Sequence, residues 1–226
     1  MILALDSSQS SGSIALAEAG RLVYSAYFDI KITHSETLMP QLDAALKFCG
    51  ATPQDLSGII LCNGPGSFTG LRIGLATAKG IAYGLGIPVT TFNSLQLTAL
   101  NCLHAERKIL AVIDAKMQEV YAALYDPDLG EICPPQVLMP GQITHWPVAD
   151  CIITGSATNA VAALLQADGI PHRVVCPYHR TVRAEGLLQL ADLLEGKYFK
   201  GDSLADLEPE YLRESTAQIR QQAKKA

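Results

Sequence analysis

Apolar positions in this chain fall into short continuous runs that alternate with longer stretches of helical spacing. Ile2-Leu3-Ala4-Leu5 is such a run and ends in Asp6. A Ser-rich turn, the apolar stretch Ile14–Ala17 and a third strand over Leu22–Phe28 follow. Short apolar runs bounded by turn residues read as buried strands. From about Ser35 the spacing becomes helical, with Leu38, Leu42, Ala45 and Leu46 on one face and Met39 off it. Pro40 suits that helix only in its first turn, because it lacks an N–H to donate further along. Ser57–Cys62 reads as a strand, Leu71–Gly84 as a helix and Ile87–Phe92 as another strand.

The same plan then repeats. Leu110–Asp114 is again a strand ending in an acid, and Val120–Tyr125 is its hairpin partner. A third strand is expected at roughly Gln136–Met139, a late strand at Cys151–Thr154 ending at Gly155, and a helix over Asn159–Ala167. Two copies of this order predict an α/β protein with a helix-flanked mixed sheet in each half. That is the two-lobed actin-like (ASKHA, ribonuclease H-like) plan. The lobes are expected at residues 1–105 and 106–226, meeting near the polar segment Leu103–Lys108. The last helix and tail are able to pack back on the first lobe, and the polar tail from Ser215 reads as frayed.

Charge and composition narrow the function. The net charge is -5, and beyond Lys224-Lys225 no dense basic run exists, so the chain is not built to hold nucleic acid alone. No apolar run approaches the roughly 18 residues of a membrane span. The start, Met1–Asp6, lacks the basic region of a signal peptide, so a cytoplasmic protein is expected. Six cysteines without a CxxC pair read as free thiols in a reducing compartment.

Gly64–Gly74 reads G-P-G-S-F-T-G-L-R-I-G between a strand and a helix. Such a loop can present free N–H groups to an anion, or its glycines can let strand and helix pack closely. It lacks the Gly-Lys-Ser/Thr of a P-loop, the spacing of a Rossmann loop and the glycines of a nucleophile elbow around Ser67. Asp6-Ser7-Ser8 offers an acid and hydroxyls at the first hairpin, either toward metal-bound phosphate or simply closing the turn. The second hairpin, Ala115-Lys116-Met117-Gln118-Glu119, has no glycine, and its bulky side chains should crowd a phosphate. Gly155–Asn159 reads as a degenerate adenosine loop or as a plain helix cap. Asp6, Ser8, Gly155 and Asn159 are therefore the candidate residues for ADP or ATP, with no cofactor required. The histidines show no HxxxH or HExxH spacing, and neither a metal set nor a catalytic residue is assigned.

The helix after the loop carries small residues at four-residue spacing: Ala76, Gly80 and Gly84 in one row, Gly74 and Ala78 in another. Glycine inside a helix costs about 1 kcal/mol relative to alanine, so a repeat suggests close packing by another helix or by the protein's own sheet. Arg72 in the first turn opposes the helix dipole, which hints at an acidic partner. Leu38, Met39, Leu42, Arg72, Gly74, Ala76, Ala78 and Gly80 are the candidate partner interface.

Several segments together resemble the bacterial TsaB (YeaZ) family, from the start of the chain to Arg213. They are ALDSS from Ala4, HSETLMPQLDAAL from His34, the GPGSFTGLRIG loop, DAKMQEVYAALY from Asp114 and LEPEYLR from Leu207. The resemblance implies an actin-like, non-catalytic paralogue of the TsaD-type enzyme, which completes threonylcarbamoyladenosine at position 37 of tRNAs. It implies a heterodimer with a TsaD-like subunit, work alongside a TsaE-like ATPase and a TsaC-type synthase, and contact with tRNA only through the complex. A homodimer is expected when the chain is alone, and a nucleotide at the cleft or subunit interface is a further expectation. TsaD-like enzymes carry a metal-binding HxxxH, and the corresponding positions here are Ser94 and Thr98, neither a strong ligand. The alternative is an autonomous ATPase or phosphotransferase of the same superfamily.

Overall fold

The computed structural model describes residues 1–29 and 34–213. The side chains of His34 and Ser35, and the tail expected from Ser215, lie outside the described residues. The first lobe opens with an antiparallel meander, β1 (Ile2–Asp6), β2 (Gly12–Glu18) and β3 (Arg21–Phe28). After α1 (His34–Phe48) comes β4 (Gly58–Cys62), parallel to β1, then α2 (Phe68–Leu85), β5 (Val89–Phe92) and α3 (Ser94–Ala99). The second lobe repeats the meander as β6 (Ile109–Lys116), β7 (Glu119–Tyr125) and β8 (Glu131–Leu138). It continues with β9 (Cys151–Thr154), parallel to β6, then α4 (Thr158–Ala167) and β10 (His172–Val174). The chain then returns to the first lobe with α5 (Ala184–Leu193) and β11 (Lys197–Phe199).

The sheet orders are β11-β5-β4-β1-β2-β3 and β10-β9-β6-β7-β8. Both lobes thus set a parallel strand beside a three-stranded meander, the two-lobed actin-like arrangement read from the repeat. β1 up to Leu5 and all of β4 are apolar because helices cover both faces of their sheet. Side-chain alternation sends Leu3, Leu5 and Leu61 toward α1 and α2, where Leu38, Leu42, Ala45, Ala78 and Ala82 meet them. Ala4, Ile60 and Cys62 point the other way, into a cluster with Leu95 of α3, Leu187 and Leu190 of α5 and Ile109, Ala111 and Ile113 of β6. The two lobes therefore share one apolar core. α5 is fixed on the first lobe by the Ala184 N–H, which donates to Ser13 Oγ at 2.9 Å, while β11 pairs antiparallel with β5.

Some boundaries differ from the sequence reading for identifiable reasons. α2 starts three residues before Leu71, because Ser67 caps it by accepting from the Gly70 N–H at 3.2 Å. It ends on Gly86 at φ 67°, a left-handed cap that glycine adopts freely. Pro40 lies inside α1, beyond the first turn in which it was expected. The apolar face that continues through Leu42 and Leu46 outweighs the one lost hydrogen bond. β8 starts at Glu131, ahead of Gln136, and carries Pro134-Pro135. It is an edge strand, where a missing N–H can face solvent.

Candidate functional site

The glycine loop sits where the two lobes meet. Its Ser67 N–H donates to the Ser8 carbonyl at 2.6 Å, and a Cβ added at Gly66 would overlap that same carbonyl oxygen. On its other side the chain returns as the segment Leu207–Arg213. The Glu210 N–H donates to the Asn63 carbonyl at 2.8 Å, and Asn63 Nδ2 donates to the Glu208 carbonyl at 2.7 Å. A Cβ at Gly64 (φ 111°) would lie 2.8 Å from the Glu210 carbonyl oxygen. The glycines thus make room for two neighbouring backbones, and the Ser67 and Gly70 amides are already bonded within the chain. Close packing against these backbones accounts for Gly64 and Gly66.

Beside it a cleft of about 740 Å³ opens between the lobes, with Ser8, Phe68, Asp114, Met117, Tyr211 and Arg213 among its walls. Of the four residues expected to hold a nucleotide, Ser8 alone lines it. Asp6 is completely buried and accepts the Ser8 N–H at 3.0 Å, the hydrogen bond that closes the first hairpin. It lies beside Cys62, whose thiol pKa is pushed well up, first by burial and then by the Asp6 charge. Gly155 (φ 110°) is needed because a Cβ there would overlap the Val112 carbonyl oxygen. Asn159 Oδ1 accepts from Arg180 Nη1 at 2.7 Å, within the second lobe. The structure therefore corrects the expectation that Asp6, Gly155 and Asn159 face one cleft.

The second hairpin turns without glycine by placing Lys116, Met117 and Gln118 in succession at φ 64°, 54° and 64°. Asp114 accepts from the Lys116 N–H at 2.8 Å and pairs with Lys116 Nζ at 2.9 Å. The Lys116 side chain, as the main cause, holds the Asp114 carboxyl below the usual carboxylate range. Met117 and Lys116 line the cleft, so the crowding expected from this turn is present. Ser94 and Thr98 are buried; Ser94 Oγ donates to the Pro65 carbonyl and Thr98 Oγ1 donates to the Ser94 carbonyl at 2.7 Å. Among the described residues no group of three or more His, Cys, Asp or Glu side chains is placed to hold a metal ion. Among the described residues no helix is long and apolar enough to cross a membrane.

The proposed interface residues divide between two faces. Leu38, Leu42, Gly74 and Ala78 are buried in the first lobe's own core, and a Cβ added at Gly74 would overlap Ser7 Oγ. They are not on any surface a partner could reach, because the inner faces of α1 and α2 cover the sheet. Arg72, Ala76 and Gly80 are exposed on α2, as is Gly84, and nothing lies within 4 Å of a Cβ placed at Gly80 or Gly84. Met39 and Phe48 of α1 and Tyr83 of α2 are also exposed, Phe48 by 82%. Arg72 sits past the first turn, and it has intramolecular partners: its Nε donates to Tyr211 Oη at 3.0 Å and its guanidinium lies 4.0 Å from the Phe68 ring centre. Phe68, Tyr211 and Arg213 were not singled out in the sequence. LEPEYLR reads only as a segment too short for a helix, and nothing within it points to Phe68, Arg72 or Glu119 as partners.

A larger groove of about 1040 Å³ lies under α5 at the other end of the first sheet, bordered by Ile2, Gly58, Leu188 and Asp192. It contains none of the residues of the cleft or of the exposed α2 row.

Comparison with known proteins agrees with the motifs. The TsaD family, described as tRNA N6-adenosine threonylcarbamoyltransferase, matches residues 30–220. The tRNA threonylcarbamoyladenosine biosynthesis protein TsaB of Bacillus subtilis (strain 168) is 39% identical over 124 residues, 55% of this chain and 54% of that protein. TsaB of Escherichia coli (strain K12) is 34% identical over 130 residues, 56% of this chain and 55% of that protein. The chain thus spans about half the length of the curated relatives it matches. The solved structure of YeaZ from Pseudomonas aeruginosa superposes with a TM-score of 0.78 at 30% identity, covering 93% of this chain and 99% of that one. With its motifs, its two-lobed fold and these relatives in agreement, the chain belongs to the TsaB (YeaZ) family, within the wider family that includes the TsaD-type transferases.

Proposed function

We propose that this protein is a non-catalytic accessory subunit for threonylcarbamoyladenosine formation on tRNA, working with a TsaD-like transferase and a TsaE-like ATPase. The observation that carries this reading is the outer face of α2. Ala76, Gly80 and Gly84 form an exposed groove without side-chain bulk, bordered by Tyr83, on a helix whose other face is fully used by the fold. A second helix can approach such a row closely. Exposed glycines in a helix interior each cost about 1 kcal/mol, which a partner helix would offset. The partner proposed to pack here is the TsaD-like subunit, and a second copy of this chain would use the same face when that subunit is scarce. The chain's contribution is binding free energy that favours the transferase's active shape. tRNA contact belongs to the assembled complex, since the net charge of -5 argues against a phosphate-binding surface here.

The chemistry at the positions of the transferase's metal ligands supports the non-catalytic role. Ser94 and Thr98 both donate their hydroxyl protons to backbone carbonyls of this chain. The autonomous ATPase reading is weakened by the glycine-free β6–β7 turn, whose Lys116 and Met117 side chains line the cleft. A reconstituted modification assay tests the proposal. TsaC-, TsaD- and TsaE-type proteins, ATP, threonine, bicarbonate and unmodified tRNA are incubated with and without this chain, and digested tRNA is read by mass spectrometry. Product should vanish when only this chain is left out, and none should form when TsaD is left out. Full product without this chain would overturn the accessory role.

A further inference from the structure

The lobes are joined a second time, apart from their shared core, by the segment Leu207–Arg213. Its near end is attached to the first lobe. Glu208 and Glu210 bond both groups of Asn63, and Asn93 Nδ2 donates to Glu210 Oε2 at 3.1 Å. Tyr211 stacks on Phe68 with ring centres 4.5 Å apart, and its hydroxyl accepts from Arg72. Its far end is attached to the second lobe. Arg213 Nη1 donates to the Ala115 carbonyl at 3.2 Å and pairs with Glu119 at 3.1 Å, while Nη2 contacts Met117 Sδ. The Arg213 side chain is only 16% exposed. Between the two attachments runs the mouth of the cleft, with Glu210, Tyr211 and Arg213 on its walls.

We infer that this segment is a latch that fixes the angle between the lobes, with Tyr211 its catch on the first lobe and Arg213 its catch on the second. Only Leu212 separates the two catches, a span of about 7 Å at full extension, so the segment has little slack. Every attachment is to a rigid element: the end of β4, the cap of α3, the first turns of α2 and the β6–β7 hairpin. Two-lobed folds open by rigid rotation about a hinge, which changes the distance between those elements. Opening therefore requires one catch to release. The first-lobe end holds by several hydrogen bonds and a ring stack, so the guanidinium end is the release point. Nη1 of Arg213 meets both the Ala115 carbonyl and the Glu119 carboxylate while Nη2 holds the Met117 sulfur, and a lysine has no second nitrogen for that last contact. The latch ends on Arg72, the residue at the head of the exposed α2 row, yet the inference rests on the contacts within this chain and does not need a partner.

Hydrogen–deuterium exchange of the full chain, followed by mass spectrometry, tests it. In Arg213→Ala, peptides over 63–72 and over 112–120 should both exchange about fivefold faster or more, while those over 34–48 and 151–167 keep their parent rates. Arg213→Lys, which keeps a charge for Glu119 but loses the second nitrogen on Met117, should raise both peptides by less than Arg213→Ala does. Glu119→Gln, which removes only the ion pair, should raise both peptides by a smaller common factor. Faster exchange confined to 112–120, unchanged rates at both, or a uniform rise across the chain would overturn the latch. Should Arg213→Ala fail to fold, Glu119→Gln decides: a joint rise at the two peptides supports the latch, and its absence overturns it.

Discussion

Two rows of small residues run along α2, and they face opposite ways. Gly74, Ala78 and Ala82 lie against the sheet, with Gly74 so close that Ser7 Oγ occupies the space of a Cβ. Ala76, Gly80 and Gly84 face outward, and Gly80 and Gly84 have empty space where a side chain would go. In sequence the rows look alike, since both read as small residues four apart. Their difference lies in what meets them. The inner row is explained by the protein's own strands, so its glycine follows from packing within the fold. The outer row has no such explanation among the described residues, and that asymmetry is the reason for proposing a partner for it.

The rows should respond differently to bulk. Gly74→Leu forces a large side chain between α2 and β1, at about 3 kcal/mol or more. Its thermal midpoint, followed by circular dichroism, should fall by roughly 6–12 °C or the chain should fail to fold. A fold unaffected by Gly74→Leu would erase the distinction. Gly80→Leu should leave the fold intact and raise its stability by up to about 1 kcal/mol, because leucine is the better helix former. It should weaken partner binding by about 100-fold, or about 2.7 kcal/mol, read by titration calorimetry.

Smaller changes sharpen the contrast. Ser67→Ala removes the cap beneath both rows and should cost about 1 kcal/mol in urea unfolding, with partner affinity changed less than by Gly80→Leu. The smallest effect comes from outside α2. Asp114 has a lowered pKa in the fold, so its contribution is present above the unfolded carboxylate value near 3.9 and is lost as pH falls through the lower folded value. Because Asp114 is half exposed, the loss should be only about 0.3 kcal/mol. Urea unfolding between pH 5 and about pH 2 should decline by about that much less in Asp114→Asn than in the parent, and by the same margin in the Gly80→Leu background, since distant sites add.

The repeat of an apolar run closed by an acid was enough to predict both lobes, because Ile2–Leu5 of β1 and Ile109–Ile113 of β6 are covered on both faces, although β6 continues past Asp114 to Lys116. The glycine-free second hairpin was also legible, and its side chains do enter the cleft. What the sequence hid were contacts across long separations. Nothing local marks Tyr211 as the ring that stacks on Phe68, or Arg213 as the cation that reaches Glu119. Gly155 and Asn159 misled for the opposite reason: a glycine before a helix looks the same whether it admits a phosphate or the Val112 carbonyl. The two rows on α2 could not be told apart until the sheet beneath them was placed.

The most direct test of the account is the association of Gly80→Leu with a TsaD-like subunit, measured by calorimetry beside the thermal unfolding of the variant alone. The account predicts an unfolding midpoint at or above that of the parent and an affinity lower by about 100-fold. A folded Gly80→Leu that binds the TsaD-like subunit as tightly as the parent would contradict it, and the outer row would then need another explanation.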